Sequence, residues 1–431
     1  MLSQCLEAIE EESFARFFGQ VSKVRRDSVR VLLPNVQVGS ICEVKSSKKV
    51  TSLEIVSLDP EGHVAMPLDE LSEIRLGDRV EMVESSATLS VGDALLGQVV
   101  DSMGISLGNS RLNLPERISL YGVSSNPMER ELIKEPIDLG IRSINGCLSC
   151  GKGQRQGIFA GSGVGKSVLL GMMARYTSAD VVVIGLIGER GREVREFIER
   201  ELGREGRKKS VVVVETAEKS AIRRVRGAYA ATAIAEFFRK RGANVLLMMD
   251  SLTRFAMAQR EIGIASGEPP TTKGYTPSVF TNLSKLLERA GNWGKAGSIT
   301  GLYTVLVEGD DLEDPVADNC RAILDGHIVL SRKLANQGRY PAVDILSSVS
   351  RVMDSVVSRE HLTQARKLKQ ILARYTENED AIQYGMYVRG TDPLIDESIE
   401  RQPAIENFLK QEKEERASFL DSTDHLAGVL R

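Results

Sequence analysis

The feature that most limits what this chain can fold into is eight residues long: Ala160-Gly161-Ser162-Gly163-Val164-Gly165-Lys166-Ser167. It follows an apolar run at 157–160 that reads as a strand, and it opens a helical stretch at 166–177. In that context glycines let the backbone curl so that successive N–H groups face phosphate oxygens. The following helix adds its positive N-terminus. Lys166 is placed to neutralise the β- and γ-phosphates of a nucleotide, and the Ser167 hydroxyl to ligate Mg²⁺. Gly161, Ser162, Gly163, Val164, Gly165 and Val168 complete the nucleotide-binding candidates. Ala160 stands where such loops often carry glycine, at a position that contacts no phosphate.

The surrounding pattern supplies the sheet such a loop sits on. Strand-like runs at 157–160, 181–187, 210–216, 244–250, 298–307 and 327–330 alternate with helical stretches at 166–177, 193–202, 220–241 and 251–264. That is the rhythm of a parallel sheet covered on both faces, an α/β core. Upstream, segments at 19–24, 28–33, 41–45, 50–58 and 63–67 are short, alternating and bounded by Gly, Pro, Asn or Asp. They predict a small β-barrel. Beyond about 358 the strands stop, and Leu362, Ala365, Leu368, Leu372 and Tyr375 fall at helical spacing. The expected organisation is an N-terminal helical extension (1–16), a barrel domain (17–90), a phosphate-loop domain (91–357) and a C-terminal helical domain (358–431).

Composition narrows the function classes. With 42% hydrophobic and 27% charged residues the chain has the make-up of a soluble globular protein. Its 56 basic and 59 acidic residues exert no global pull on nucleic acid. The barrel stretch carries aromatics only at Phe17 and Phe18, which favours a structural or ring-forming barrel over one that stacks bases. Of five cysteines, Cys147 and Cys150 form a C-x-x-C with no second pair and no nearby histidine. They read as small core residues, with a redox pair as the alternative, and the count fits a reducing cytoplasm. No apolar run is long enough to span a bilayer, and Glu7, Glu10, Glu11 and Glu12 make the N-terminus too acidic for a signal peptide. Leu2, Leu6 and Ile9 form a stripe there, either a locally packed terminal helix or a docking helix. A cytoplasmic protein is expected, touching a membrane only through partners.

Two carboxylates complete the chemistry. Asp250 ends the apolar run 245–249 and would hold the hydration shell of Mg²⁺. Glu189 follows the strand 181–187 at the same sheet edge and would orient the attacking water. Its competing reading is a solvated loop glutamate paired with Arg192.

At these residues the chain resembles a known family. Gly-x-Gly-Gln-Arg at 151–155, the phosphate loop, Leu-Ile-Gly-Glu-Arg-Gly-Arg-Glu-Val at 186–194 and Met-Asp-Ser-Leu-Thr-Arg-Phe at 249–255 are similar to the ATPases of type III protein export. These are relatives of the catalytic subunit of rotary ATP synthases. Gly-Glu-Pro-Pro at 267–270, Gly-Tyr-Thr-Pro-Ser-Val-Phe at 274–280, Leu-Leu-Glu-Arg at 286–289 and Tyr-Thr-Val-Leu-Val-Glu-Gly-Asp-Asp at 303–311 extend the likeness. Leu-Asp-Gly-His-Ile-Val-Leu-Ser-Arg at 324–332 and Tyr-Pro-Ala-Val-Asp at 340–344 complete it, over about 91–354. The string Ser-Leu-Thr-Arg-Phe-Ala-Met-Ala-Gln-Arg-Glu-Ile-Gly at 251–263 resembles the flagellar branch; virulence-type injection systems more often carry Tyr-Ala-Arg-Ala in its middle. Cys147 departs from the apolar residue the family pattern leads one to expect.

The resemblance implies a RecA-like core and a Mg-ATP hydrolysing ring of six identical subunits that unfolds export substrates or primes an export gate. It implies that Tyr340 stacks on adenine, and that Arg351 is an arginine finger reaching the neighbouring subunit's site. Arg190 and Arg254 become pocket arginines. The implied partners are a stator-like regulatory protein bound through the N-terminus, chaperones, export substrates and the gate at the inner membrane, with no nucleic acid. Alternatives are an injection-system ATPase, an RNA-dependent transcription-termination helicase and a non-catalytic rotary subunit. The joint presence of Lys166, Glu189 and Asp250 argues against the last.

Overall fold

The computed structural model describes residues 18–46, 49–69, 73–108, 110–122, 126–307 and 313–431. The stripe expected to form a helix at 1–14 lies outside the described residues. Six strands, β1 (Phe18–Val24), β2 (Val29–Leu32), β3 (Ile41–Lys45), β4 (Val50–Ser57), β5 (His63–Pro67) and β6 (Arg79–Glu84), close a barrel in the order β1-β2-β5-β4-β3-β6. Side chains alternate along a strand, so Val29 with Val31, Cys42 with Val44, and Leu53 with Ile55 fill its interior. Irregular register in β1, β3 and β4 helps the strands bend, and closure leaves no edge open. The closing strand β6 escapes the sequence pattern because Arg79, Glu81 and Glu84 dilute its apolar signal. Next, β7 (Thr88–Val91) pairs outside the barrel, with β9 (Glu116–Ser119).

Between them lies β8 (Val99–Val100), and β10 (Pro136–Ile137) with β11 (Cys150–Gly151) forms a separate pair. The core strands follow: β12 (Arg155–Ala160), β13 (Val181–Ile187), β14 (Ser210–Glu215), β15 (Asn244–Asp250), β16 (Gly291–Asn292), β17 (Ser298–Leu306), β18 (Gly326–Leu330) and β19 (Val343–Ser350). The main sheet runs β19-β18-β12-β17-β15-β13-β14-β8, with β16 beside β17. It is mixed rather than wholly parallel, because β16 and β19 run antiparallel to their neighbours. The edge strand β19 was not expected: Leu346, Ser347 and Val349 are exposed, so it shows no continuous apolar run. By contrast all seven residues of β13 are buried, as in a strand covered on both faces. Each such aliphatic side chain contributes about 1.5–3 kcal/mol.

One apolar core lies under the helices Ala221–Lys240, Leu252–Ala265 and Pro277–Leu287. The other joins the helix Lys166–Tyr176 to the C-terminal helices Arg359–Glu377, Pro393–Leu409 and Phe419–Val429, through residues such as Met173, Leu368, Phe408 and Leu426. The C-terminal helices therefore share a core with the sheet. The helices Pro277–Leu287 and Pro315–Ile323 were not expected from the sequence; each opens on a proline in its first turn, where no N–H partner is needed. The stretch expected at 193–202 runs further, from Gly191 to Lys208, with a wider π turn at Phe197–Leu202. Cys147 and Cys150 are both buried, and burial pushes each thiol up to about 12. Among the described residues no helix is long and apolar enough to cross a membrane.

Candidate active site

The C-terminal ends of β12, β13 and β15 meet at one edge of the sheet, where open α/β sheets bind ligands. Register fixes this: Leu186 of β13 pairs with Asp250 of β15, and Ala160 of β12 with Leu306 of β17. The loop after β12 turns into the helix Lys166–Tyr176 through Gly163 (φ 75°) and Gly165 (φ 87°), left-handed conformations that a side chain would strain. Within the loop, Gly161 and Val164 are buried while Ser162, Gly163 and Ser167 face solvent; Val168 is half-buried against the core. The helix offers its first-turn N–H groups at this edge.

Three segments far apart in sequence bring their charges together here. Lys166 Nζ donates to Asp250 Oδ1 and lies 3.9 Å from Glu189 Oε1. The Lys166, Glu189 and Asp250 side chains are 12%, 16% and 7% exposed, so water screens them weakly. Glu189 is not the solvated loop residue of its competing reading. Its carboxyl is pushed up to about 7, first by burial, then by the Asp250 carboxylate, against the opposing pull of Lys166; a hydrogen bond with Glu193 adds to the rise. Glu189 Oε1 is buried without a hydrogen-bond partner. One ammonium facing two carboxylates with an orphaned oxygen is a donor set that a hydrated cation fits. Asp250 also accepts from the Thr304 hydroxyl at 2.6 Å, a contact that its place within a long apolar strand gives no reason to expect.

The remaining sequence candidates divide. The Tyr340 ring lies over the loop, near enough that a methyl group on Gly165 would meet it at 3.3 Å, and it is about half exposed. Its carbonyl accepts from the Gln411 N–H at 3.0 Å, and the Arg339 guanidinium donates to Glu406 at 3.0 Å. The end of the helix Pro393–Leu409 thus anchors this loop, a contact too distant in sequence to be read there. The Arg254 stem packs on Gly188 (φ 72°), directly before Glu189. Arg190 does not join the cluster: its side chain is 78% exposed and pairs with Glu193 at 3.3 Å. Arg351 is at the opposite end of the sheet. It follows β19, whose last residue pairs with Gly326 at the start of β18, whereas the phosphate loop lies beyond the far end of that strand. Its guanidinium donates to the Leu324 and Arg321 carbonyls, each at 3.2 Å.

A cavity of about 1420 Å³ lies elsewhere, between the barrel and the helices Ala221–Lys240 and Pro277–Leu287. Arg289 and Glu236 in its wall bind each other at 2.7 and 2.8 Å, which spends their charge on structure. The candidate constellation is the one at the strand ends, where Lys166 faces both Glu189 and Asp250.

Comparison with known proteins gives the family. Residues 140–350 match the nucleotide-binding domain of the ATP synthase alpha/beta family, and residues 357–428 the C-terminal domain of the type III secretion ATPase EscN. The flagellum-specific ATP synthase of Bacillus subtilis is 48% identical over 98% of both chains. The type 3 secretion system ATPase of Xanthomonas euvesicatoria is 46% identical over 96% of this chain and 94% of its own. The assembled EscN of enteropathogenic E. coli superposes with a TM-score of 0.90 at 42% identity, covering 96% of this chain and all of its own. Its complex with the central stalk EscO gives 0.88 at the same identity and coverage. This chain belongs to the flagellum-specific and type III secretion ATPases of the ATP synthase alpha/beta family.

Proposed function

We propose that the chain is the Mg-ATP hydrolysing motor of a flagellar protein export apparatus, working as a ring of six identical subunits with one site at each interface. The observation that carries this is the division of charges: Lys166, Glu189 and Asp250 converge at one end of the strands, and Arg351 sits at the other. A finger so placed serves a neighbour's site rather than its own.

In this reading the loop amides of residues 161–167 and the Lys166 ammonium hold the ATP phosphates. Ser167 and Asp250 hold Mg²⁺, which when bound spreads the charge of the transferring phosphoryl group. Glu189 orients the attacking water and takes its proton; the raised affinity of its carboxyl for protons suits that task. Tyr340 offers its face to the base. Arg351 of the adjacent subunit meets the charge that develops on the phosphoryl oxygens. A stalk protein like the one bound by EscN, a regulatory protein at the N-terminus, chaperones and export substrates are the expected partners, with membrane contact through the gate.

The flagellar branch rests on the string at 251–263. Deleting the gene should abolish filament assembly; loss of effector injection with filaments intact would favour the injection-system reading. Site sharing is tested by mixing Lys166→Ala and Arg351→Ala chains, each inactive alone. Once a label shows that subunits exchange, activity should return at interfaces that pair an intact phosphate loop with an intact finger. Mixed rings that stay inactive would refute the shared site.

A further inference from the structure

We propose that Thr304 is the positioning residue for Asp250, turning the carboxylate so that one oxygen is spent on the protein and the other faces the metal. The inference rests on the reading of Asp250 as the metal-side carboxylate and goes beyond it, to what aims that group.

Thr304 is fully buried on β17, the strand next to β15. Met249 pairs with Tyr303, so the next residue of each strand, Asp250 and Thr304, also lie side by side. The Thr304 hydroxyl has one proton and two acceptors in reach, Asp250 Oδ1 at 2.6 Å and the Met249 carbonyl at 3.2 Å. A charged acceptor at shorter range takes the proton. Lys166 Nζ donates to the same Oδ1. Both donors therefore converge on one oxygen and leave Oδ2 as the oxygen that neither of them uses.

The two donors are not equivalent. Lys166 is the group that the phosphates of a bound nucleotide compete for. Thr304 is β-branched, held in a strand core and out of reach of solvent, so its rotamer is stiff. When the lysine engages phosphate, the threonine still fixes the carboxylate. Partners that orient a ligating group in this way typically control about 10–100-fold in metal affinity.

The experiment uses the full chain with Thr304→Val, which keeps the shape and removes the hydroxyl, Thr304→Ala, which removes it without β-branching, and Thr304→Ser, which restores it. Binding of a fluorescent non-hydrolysable ATP analogue is measured in EDTA and during titration with Mg²⁺. Mn²⁺ bound in the presence of that analogue is measured by electron paramagnetic resonance. The Val and Ala variants should bind the metal-free analogue within about twofold of the parent. The Mg²⁺ or Mn²⁺ needed for half-saturation should rise by about tenfold or more, and Ser should recover most of that loss. If the Val variant does not fold, the Ala variant decides. The proposal is overturned if Val and Ala titrate metal as the parent does, if metal-free binding falls equally, or if Ser remains shifted like Val, which would make packing the cause. Asp250→Asn separates the two layers of the argument. If it is impaired in metal response and Thr304→Val is not, only the Thr304 role fails. If Asp250→Asn itself titrates as the parent does, the metal-side reading fails and the Thr304 role with it.

Discussion

Two buried charge clusters in this molecule are made from the same chemistry and end differently. At the barrel–core junction Glu54 and Arg226 are 2% and 1% exposed. Arg226 donates to Glu54 Oε2 at 2.5 Å and the Tyr121 hydroxyl donates to Oε1, so both carboxylate oxygens are occupied. At the strand ends one ammonium serves two carboxylates, and Glu189 Oε1 has no hydrogen-bond partner. The first cluster sets one cation against one carboxylate, with only the Arg226 Nε left without a partner, and its ion pair holds the barrel on the helix Ala221–Lys240. The second sets one ammonium against two carboxylates, a surplus of negative charge of the sign that a cation would complement. Balance against imbalance, rather than burial as such, separates a structural ion pair from a reactive site.

Substitutions that exploit this difference should have graded effects. The largest is Glu189→Gln, which keeps the shape and removes the proton acceptor. Phosphate release should fall on the order of 10²–10⁴-fold while ATP binding persists, and equal turnover would show that Glu189 is not the water-orienting group. Arg226→Met comes next, because it strands Glu54 without its cation. It should cost about 3–5 kcal/mol in urea unfolding, and the double change with Glu54→Leu should regain most of it, since charge-balanced buried pairs tolerate apolar replacement. A single Arg226→Met that unfolds like the parent would remove the contrast between the clusters.

A smaller effect follows from protons. The Glu189 carboxyl sits near 7 in the folded chain against 4.5 for an ordinary glutamate. Between those values the folded state binds more protons than the unfolded one, so the nucleotide-free chain should lose stability as pH rises from about 4.5 to 7. Glu189→Gln should flatten that slope, whereas Arg226→Met should steepen it, because burial already raises the Glu54 carboxyl and the substitution removes the guanidinium that holds it down; urea midpoints at several pH values read both. The smallest effect belongs to the surface helix, where Arg195 and Glu199 pair at 2.8 Å with side chains 81% and 60% exposed. Arg195→Ala should leave the midpoint and the turnover unmoved, as solvent-screened pairs do.

The sequence by itself determined the phosphate loop, the acidic strand end at Asp250, Glu189, and the succession of barrel, α/β core and terminal helices. These are local signals: glycines at fixed offsets, apolar runs and their periods, all set by neighbours in the chain. Tertiary structure decided what depends on pairing at a distance. It closed the barrel with the charged strand β6 and laid the antiparallel β19 on the sheet edge, because register and edges are settled between strands. It turned Arg190 outward onto Glu193 and set Arg351 at the far end of the strands from Lys166. It tied the Tyr340 loop to Gln411 and set Thr304 on Asp250. A run of residues encodes the period of its own element, while the direction in which a side chain's charge is spent depends on groups that folding alone brings within a few ångströms of it.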